Sequence, residues 1–310
     1  MLLNIWGSDL ARFVSKRRFG YAVALLFCGL VLGLFASWFV AGKLVESRPQ
    51  KIGSPPADLR AALISLQSES GAAISGWHIP ADDSRGVIVL LHGIRGSRLS
   101  MLERARFLNK AGYSIVMIDL QGHGESSGEQ ITIGHLEKHD AKAAIEFARK
   151  QHPKEPIGVI GVSLGGASAL LASPLGIDAL VIESVYPDIE SAINNRVAAR
   201  LGPLSAIPSW LLLMQLEPRL GIEKSQLRPV DHVPDIGCPV LVISGTKDLH
   251  TTAEETKLIF EMARDPKELW LVDGAAHVDL LTAASTEYQL RVTRFFQEHL
   301  RVQSSDASQQ

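Results

Sequence analysis

The sequence predicts a doubly wound α/β domain, and three observations carry that prediction. Short runs rich in β-branched residues alternate with stretches whose apolar residues recur at helical spacing. The later runs are continuously apolar, as parallel strands covered on both faces must be. The chain is also large enough, at 310 residues with 46% hydrophobic content, to bury one substantial core.

In chain order, Ile64–Gln67 and Ala73–Ile79 read as an antiparallel hairpin. Six further runs follow: Val87–Leu91, Ser114–Asp119, Ile157–Val162, Ala179–Glu183, Val240–Ser244 and Leu269–Val272. Helical periodicity marks Leu99–Ala111, Leu136–Gln151, Thr252–Met262 and Thr286–His299. The expectation is a mostly parallel central sheet of about eight strands flanked by helices. Between Glu183 and Val240 no strand is legible, and a structureless loop of that length is improbable inside a compact domain. A helical cap insertion over about 184–238 is the better reading. The α/β domain is placed at 59–302 and a disordered tail at 303–310, where QSSDASQQ closes the chain.

Residues 21–42, YAVALLFCGLVLGLFASWFVAG, contain no charged side chain. As a helix they extend about 33 Å, close to the thickness of a bilayer's hydrocarbon core. A cleaved signal peptide has a shorter apolar region and small residues at its cleavage site, whereas Phe39 before Ala41 and Leu34 before Ala36 fit that pattern poorly. A core helix is rarely apolar on every face for so long. The expectation is a single transmembrane helix at 21–42, a cytoplasmic segment at 1–20 and a Pro- and Ser-containing tether at 43–58. Arg12, Lys16, Arg17 and Arg18 precede the helix and predict that the catalytic domain is extracytoplasmic, although Lys43, Arg48 and Lys51 follow it.

A formal charge of -2 provides no basic excess for neutralising phosphates and argues against a nucleic-acid partner. Cys28 lies in the apolar run and Cys238 beside a strand, so neither a disulfide framework nor a zinc spacing can be built from them. No metal-ligand spacing and no dinucleotide fingerprint is present, so no cofactor is expected.

The chemistry concentrates at strand ends. Gly161-Val162-Ser163-Leu164-Gly165 stands where one strand ends and a helix of small residues begins. A sharp strand-to-helix turn exposes the serine hydroxyl, and the glycines allow close backbone approach. His92-Gly93-Ile94-Arg95-Gly96 follows Val87–Leu91 and can aim the Ile94 N–H at the same crevice. With the N–H of Leu164 it would form an oxyanion hole. His92 itself is read as structural. Asp248 and His277 follow the last two strands, facing the same sheet edge. His277 would act as the base for Ser163, and Asp248 would orient it. Glu183 is the alternative acid. His250, two residues after Asp248, is too local for a carboxylate–imidazole–serine line, and His123, His135 and His139 have surface or structural readings.

Together LLHGIRGSR, DLQGHGES, GVSLGG, PVLVISGTKD and GAAH resemble the α/β-hydrolase superfamily, particularly membrane-anchored members of its serine-aminopeptidase-like and Bem46-like branch. The resemblance runs over roughly Ile64 to Leu300 and implies the α/β-hydrolase fold. The Gly134, Glu137, Asp140 spacing is similar to the family's helix before the nucleophile strand, while Gln121 departs from the arginine common there.

The combined reading is a serine hydrolase of carboxylic esters or related acyl compounds. Peptidase or amidase action, or acyl transfer, would use the same triad, and a non-catalytic binding protein is the competing class. The expected partners are a small acyl substrate and, through the N-terminal helix, a membrane. The apolar run Trp210–Met214 in the cap suggests an acyl-binding wall or a lid near the bilayer, set against ordinary packing on the core. A topology reporter fused after Gln310 is expected to be active outside the cytoplasm; activity confined to the cytoplasm overturns that orientation.

Overall fold

Six adjacent parallel strands set the position of everything else in the molecule. The computed structural model describes residues 5–300, with side chains from Arg18 onward. The 303–310 tail and the side chains of Arg12, Lys16 and Arg17 lie outside the described residues. The sheet contains β1 (Ala62–Gln67), β2 (Ala73–Ile79), β3 (Val87–Leu91), β4 (Ser114–Ile118), β5 (Ile157–Val162), β6 (Ala179–Glu183), β7 (Val240–Gly245) and β8 (Lys267–Val272). Their spatial order is β8-β7-β6-β5-β3-β4-β2-β1. β1 pairs antiparallel with β2, and β2 antiparallel with β4; every other pairing is parallel. β3 lies between β4 and β5, so the chain reverses direction across the sheet there. The loops leaving β3 and β5 thus meet at one crevice.

β3 to β7 are buried at every position but Val162, which ends β5, and this explains their apolar runs. Two apolar layers enclose them. One packs α3 (Glu137–Gln151), α4 (Leu164–Leu171) and α8 (Ala253–Met262) on one face, through Ala144, Ala167 and Ile259. The other packs α2 (Leu102–Lys110), α9 (Leu280–Ala283) and α10 (Ser285–His299), through Ala105, Leu280, Phe295 and Phe296. Thr252 caps α8 by accepting from Glu255 N, and the Glu255 carboxylate accepts from Thr252 N in return, forming a capping box.

Between β6 and β7 the chain forms α5 (Ile189–Leu201), α6 (Ala206–Leu213) and α7 (Leu216–Leu220), then short 3₁₀ turns. Asp188 starts α5 by accepting from Ser191 N at 2.8 Å.

The N-terminal helix α1 spans Ile5–Val45, well beyond the uncharged run at 21–42. Its segment Arg18–Val45 is long and apolar enough to cross a membrane, a property a signal sequence shares. The residues that follow are not a free tether over 43–58. Arg48 N and Gln50 N donate to Gly122 O and Gly124 O at 2.6 and 2.7 Å, and Ile131 N donates to Val45 O at 2.8 Å. Arg48–Pro49 thus pairs parallel with His123–Gly124. The composition of 43–58 resembles a linker, yet its first residues have backbone partners on the domain that no local pattern encodes.

A buried ion pair lies at the carboxyl end of β6. Arg104 donates to both carboxylate oxygens of Glu183 at 3.1 and 2.7 Å and to Asp279 at 2.7 Å, and Tyr288 donates to Glu183. Arg104 and Glu183 are only 2% and 1% exposed, so removing one partner strands a charge. Arg104→Met is expected to lower unfolding free energy by about 3–5 kcal/mol, as measured by urea denaturation.

Candidate active site

The strand-to-helix turn at Ser163 is built by backbone contact. Ser163 adopts φ 48°, ψ -106°, a positive-φ conformation rare for a residue with a side chain. A Cβ on Gly165 would lie 2.3 Å from Leu91 O, and one on Gly161 would lie 2.5 Å from Gly166 Cα. Glycine at 161 and 165 is therefore dictated by space, with the elbow pressed against the end of β3. Ser163 N donates to Glu183 O at 2.8 Å, fixing the elbow to the neighbouring strand. Ser163 is 4% exposed.

Leu164 is the first residue of α4, so its N–H lies at a helix N-terminus where no intrahelical acceptor precedes it. Across the crevice, a Cβ on Gly93 would lie 3.7 Å from Ser163 Cβ, which places the β3 loop against the Ser163 turn. Among the described residues, neither Ile94 N nor Leu164 N donates to a protein acceptor.

Two buried histidines hold that loop. His92 bonds through Nδ1 to Gly93 O at 2.7 Å and through Nε2 to Leu120 N at 3.0 Å. A ring nitrogen that accepts from a backbone N–H must be unprotonated, so His92 is neutral with its proton on Nδ1. Burial, aided by the nearby His123, pushes its pKa down to about 3. His123 accepts from Arg95 N at 3.0 Å through Nε2, with Nδ1 facing Gln121 O. Burial lowers its pKa as well. Arg95 stands at φ 60°, a conformation these contacts help to hold. The role of His123 is hidden in the sequence because its partner lies 28 residues earlier.

Asp140 accepts from Gln121 N at 2.8 Å, but its other oxygen is buried without a partner. Burial pushes this carboxyl up to about 7.

On the opposite side of the crevice, His277 Nδ1 lies 2.8 Å from Asp248 Oδ2. The other Asp248 oxygen accepts from His250 N at 2.8 Å and Thr251 N at 2.9 Å. Burial opposes the Asp248 charge, but the hydrogen bond from His277 and the two backbone donors outweigh it and lower the pKa. No hydrogen bond joins Ser163 to His277 among the described residues; the two stand on loops of the same sheet edge. Glu183, the alternative acid, is enclosed by Arg104 and Tyr288. His250 packs its ring 4.9 Å from that of His277, a contact that no local sequence pattern announces. The cap reaches this side too, since Asn195 and Arg196 on α5 both donate to His250 O.

Cys28 and Cys238 are both free, and burial pushes the Cys238 thiol up to about 12. Glu268, Glu298 and His299 bring donor atoms within 4.8 Å of one another at the surface. Arg294 already lies 2.9 Å from Glu268 and 3.7 Å from Glu298, supplying positive charge there.

Residues 82–205 match the family model for serine aminopeptidase, S33. The uncharacterised protein YqkD of Bacillus subtilis is 26% identical over 239 residues, covering 74% of this chain and 77% of its own. The uncharacterised protein YfhR of Escherichia coli K12 is 23% identical over 235 residues, covering 72% and 76%. Among solved structures, the Pyrococcus furiosus esterase Pf2001 superimposes with a TM-score of 0.67 at 25% identity, covering 83% of this chain and 98% of that one. A dienelactone hydrolase from Anabaena variabilis shares the fold, with a TM-score of 0.57 at 19% identity over 78% of this chain and 99% of its own. With its eight-stranded sheet, its glycine-bound elbow and these relatives, the chain is a member of the α/β-hydrolase superfamily.

Proposed function

We propose that this chain is a membrane-anchored serine hydrolase that cleaves carboxylic esters through an acyl-Ser163 intermediate. The observation that carries the reading is the Asp248–His277 contact of 2.8 Å on the sheet edge from which the strained Ser163 elbow projects. With Nδ1 turned to Asp248, His277 keeps Nε2 for the serine. Ser163 Oγ attacks the acyl carbon while its proton passes to His277. The carbonyl electron pair moves to oxygen, which the N–H groups of Ile94 and Leu164 receive. Collapse of this oxyanion breaks the bond to the leaving group, which takes the proton from His277. Water, deprotonated by His277, then attacks the acyl-enzyme and releases the acid and Ser163. Asp248 stays ionised and stabilises the imidazolium.

The similar Pyrococcus furiosus protein is an esterase, and that likeness supports ester chemistry. The serine aminopeptidase match favours amide cleavage as a second reading, and parallel ester and amide panels separate the two. The apolar length of Arg18–Val45 supports anchoring at the membrane.

Ser163→Ala is expected to abolish both p-nitrophenyl ester turnover and covalent labelling by a fluorophosphonate; full activity in the variant overturns the assignment. Asp248→Asn is expected to reduce kcat on the order of 10⁴-fold, because the imidazole loses its orienting acceptor. Glu183→Gln should instead register mainly in stability, and a larger kcat loss there than in Asp248→Asn would reverse the roles of the two acids.

A further inference from the structure

We propose that α6 and the turn before it form a second membrane contact, seated in the bilayer that α1 spans. This deepens the anchored-hydrolase reading and rests on it. From Leu201 to Leu216 the cap carries no charged residue. A helix apolar on all sides belongs in a core or in lipid, but α6 is only half covered. Leu204, Ile207, Trp210 and Met214 are 79, 71, 57 and 57% exposed, and their spacing puts them on one stripe.

The neighbour of that stripe identifies its occupant. α1 packs against α6, and the less exposed positions of α1 there, Gly33, Ser37 and Ala41, recur every four residues. Gln215 Nε2 donates to Ser37 Oγ at 2.8 Å. Arg219 donates to Trp38 O at 2.6 Å and stacks over the Trp38 ring at 4.0 Å. Ser37 lies about 8 Å of helix inside the end of the uncharged run at Gly42. The cap therefore grips α1 within its apolar span, not beyond it. Lipid that surrounds Phe35 and Phe39 on α1 must also meet the open face of α6.

The grip extends to the active site. Arg95, in the loop carrying Ile94, donates to Lys43 O at 3.0 Å, one residue past the uncharged run. The crevice is thus held at headgroup height. The substrate class this suits is an amphiphile whose acyl chain stays in the bilayer while its ester lies at the interface.

The test uses full-length protein in phosphatidylcholine–phosphatidylglycerol vesicles, with Cys28→Ala and Cys238→Ala removing both native thiols. A single cysteine is introduced by Ile207→Cys or, in α1, by Leu30→Cys, and labelled with an environment-sensitive fluorophore. Blue-shifted emission quenched by doxyl-labelled phosphatidylcholine at both positions is expected. Quenching at position 30 but not 207 overturns the second contact and leaves the anchor standing. Absence of quenching at both overturns the anchor and the contact with it. A blue shift at 207 without lipid quenching assigns the face to a protein partner, such as a second copy of the chain, and also overturns the proposal. In addition, Leu204→Ser and Ile207→Ser combined should raise the apparent KM for a vesicle-borne ester roughly tenfold. The same variant should keep kcat and KM for a soluble short-chain ester, and an equal loss on both substrates counts against a lipid role.

Discussion

The arrangement around Ser163 depends on the approach of Gly165 to the carbonyl of Leu91, where a side chain would overlap backbone. That approach presses the start of α4 onto the end of β3. It forces Ser163 into its positive-φ conformation and brings the Ile94 loop alongside it. The Ser163 turn and the neighbouring Ile94 and Leu164 N–H groups are therefore one packing solution rather than two separately placed features. The cost of the strained serine, on the order of 1–3 kcal/mol, is carried by the buried strands on both sides of β5. Loops further out refine this arrangement, as when His92 and His123 fasten the β3 loop from below.

The sheet was largely legible because its signal is local. Val87–Leu91, Ile157–Val162 and Ala179–Glu183 declare themselves by unbroken apolar runs, and their limits agree with the observed strands. β8 begins earlier than the Leu269–Val272 run, at Lys267, because an edge strand tolerates polar residues at its exposed start. At the site, the elbow was readable from glycine spacing, and the order of Asp248 and His277 from their positions after strands. What could not be read were partnerships across long sequence separations. Nothing local to Arg104 points to Glu183, 79 residues away, or to Asp279, 175 away. The contact of α1 with the cap is likewise invisible, because Ser37 and Gln215 each read as ordinary residues of their own segments.

Glu183 has two attachments that differ in kind. Its carbonyl holds the Ser163 amide, while its carboxylate holds Arg104, which in turn grips Asp279 two residues beyond His277. One residue at the end of β6 therefore tethers Ser163 by main chain and the His277 loop by side chain. In the language of local unfolding, the two halves of the site belong to a single cooperative unit, because an opening that frees one must break contacts shared with the other. The amides of the elbow and of the His277 loop would then exchange with solvent at a common opening free energy, although 114 residues of chain separate them.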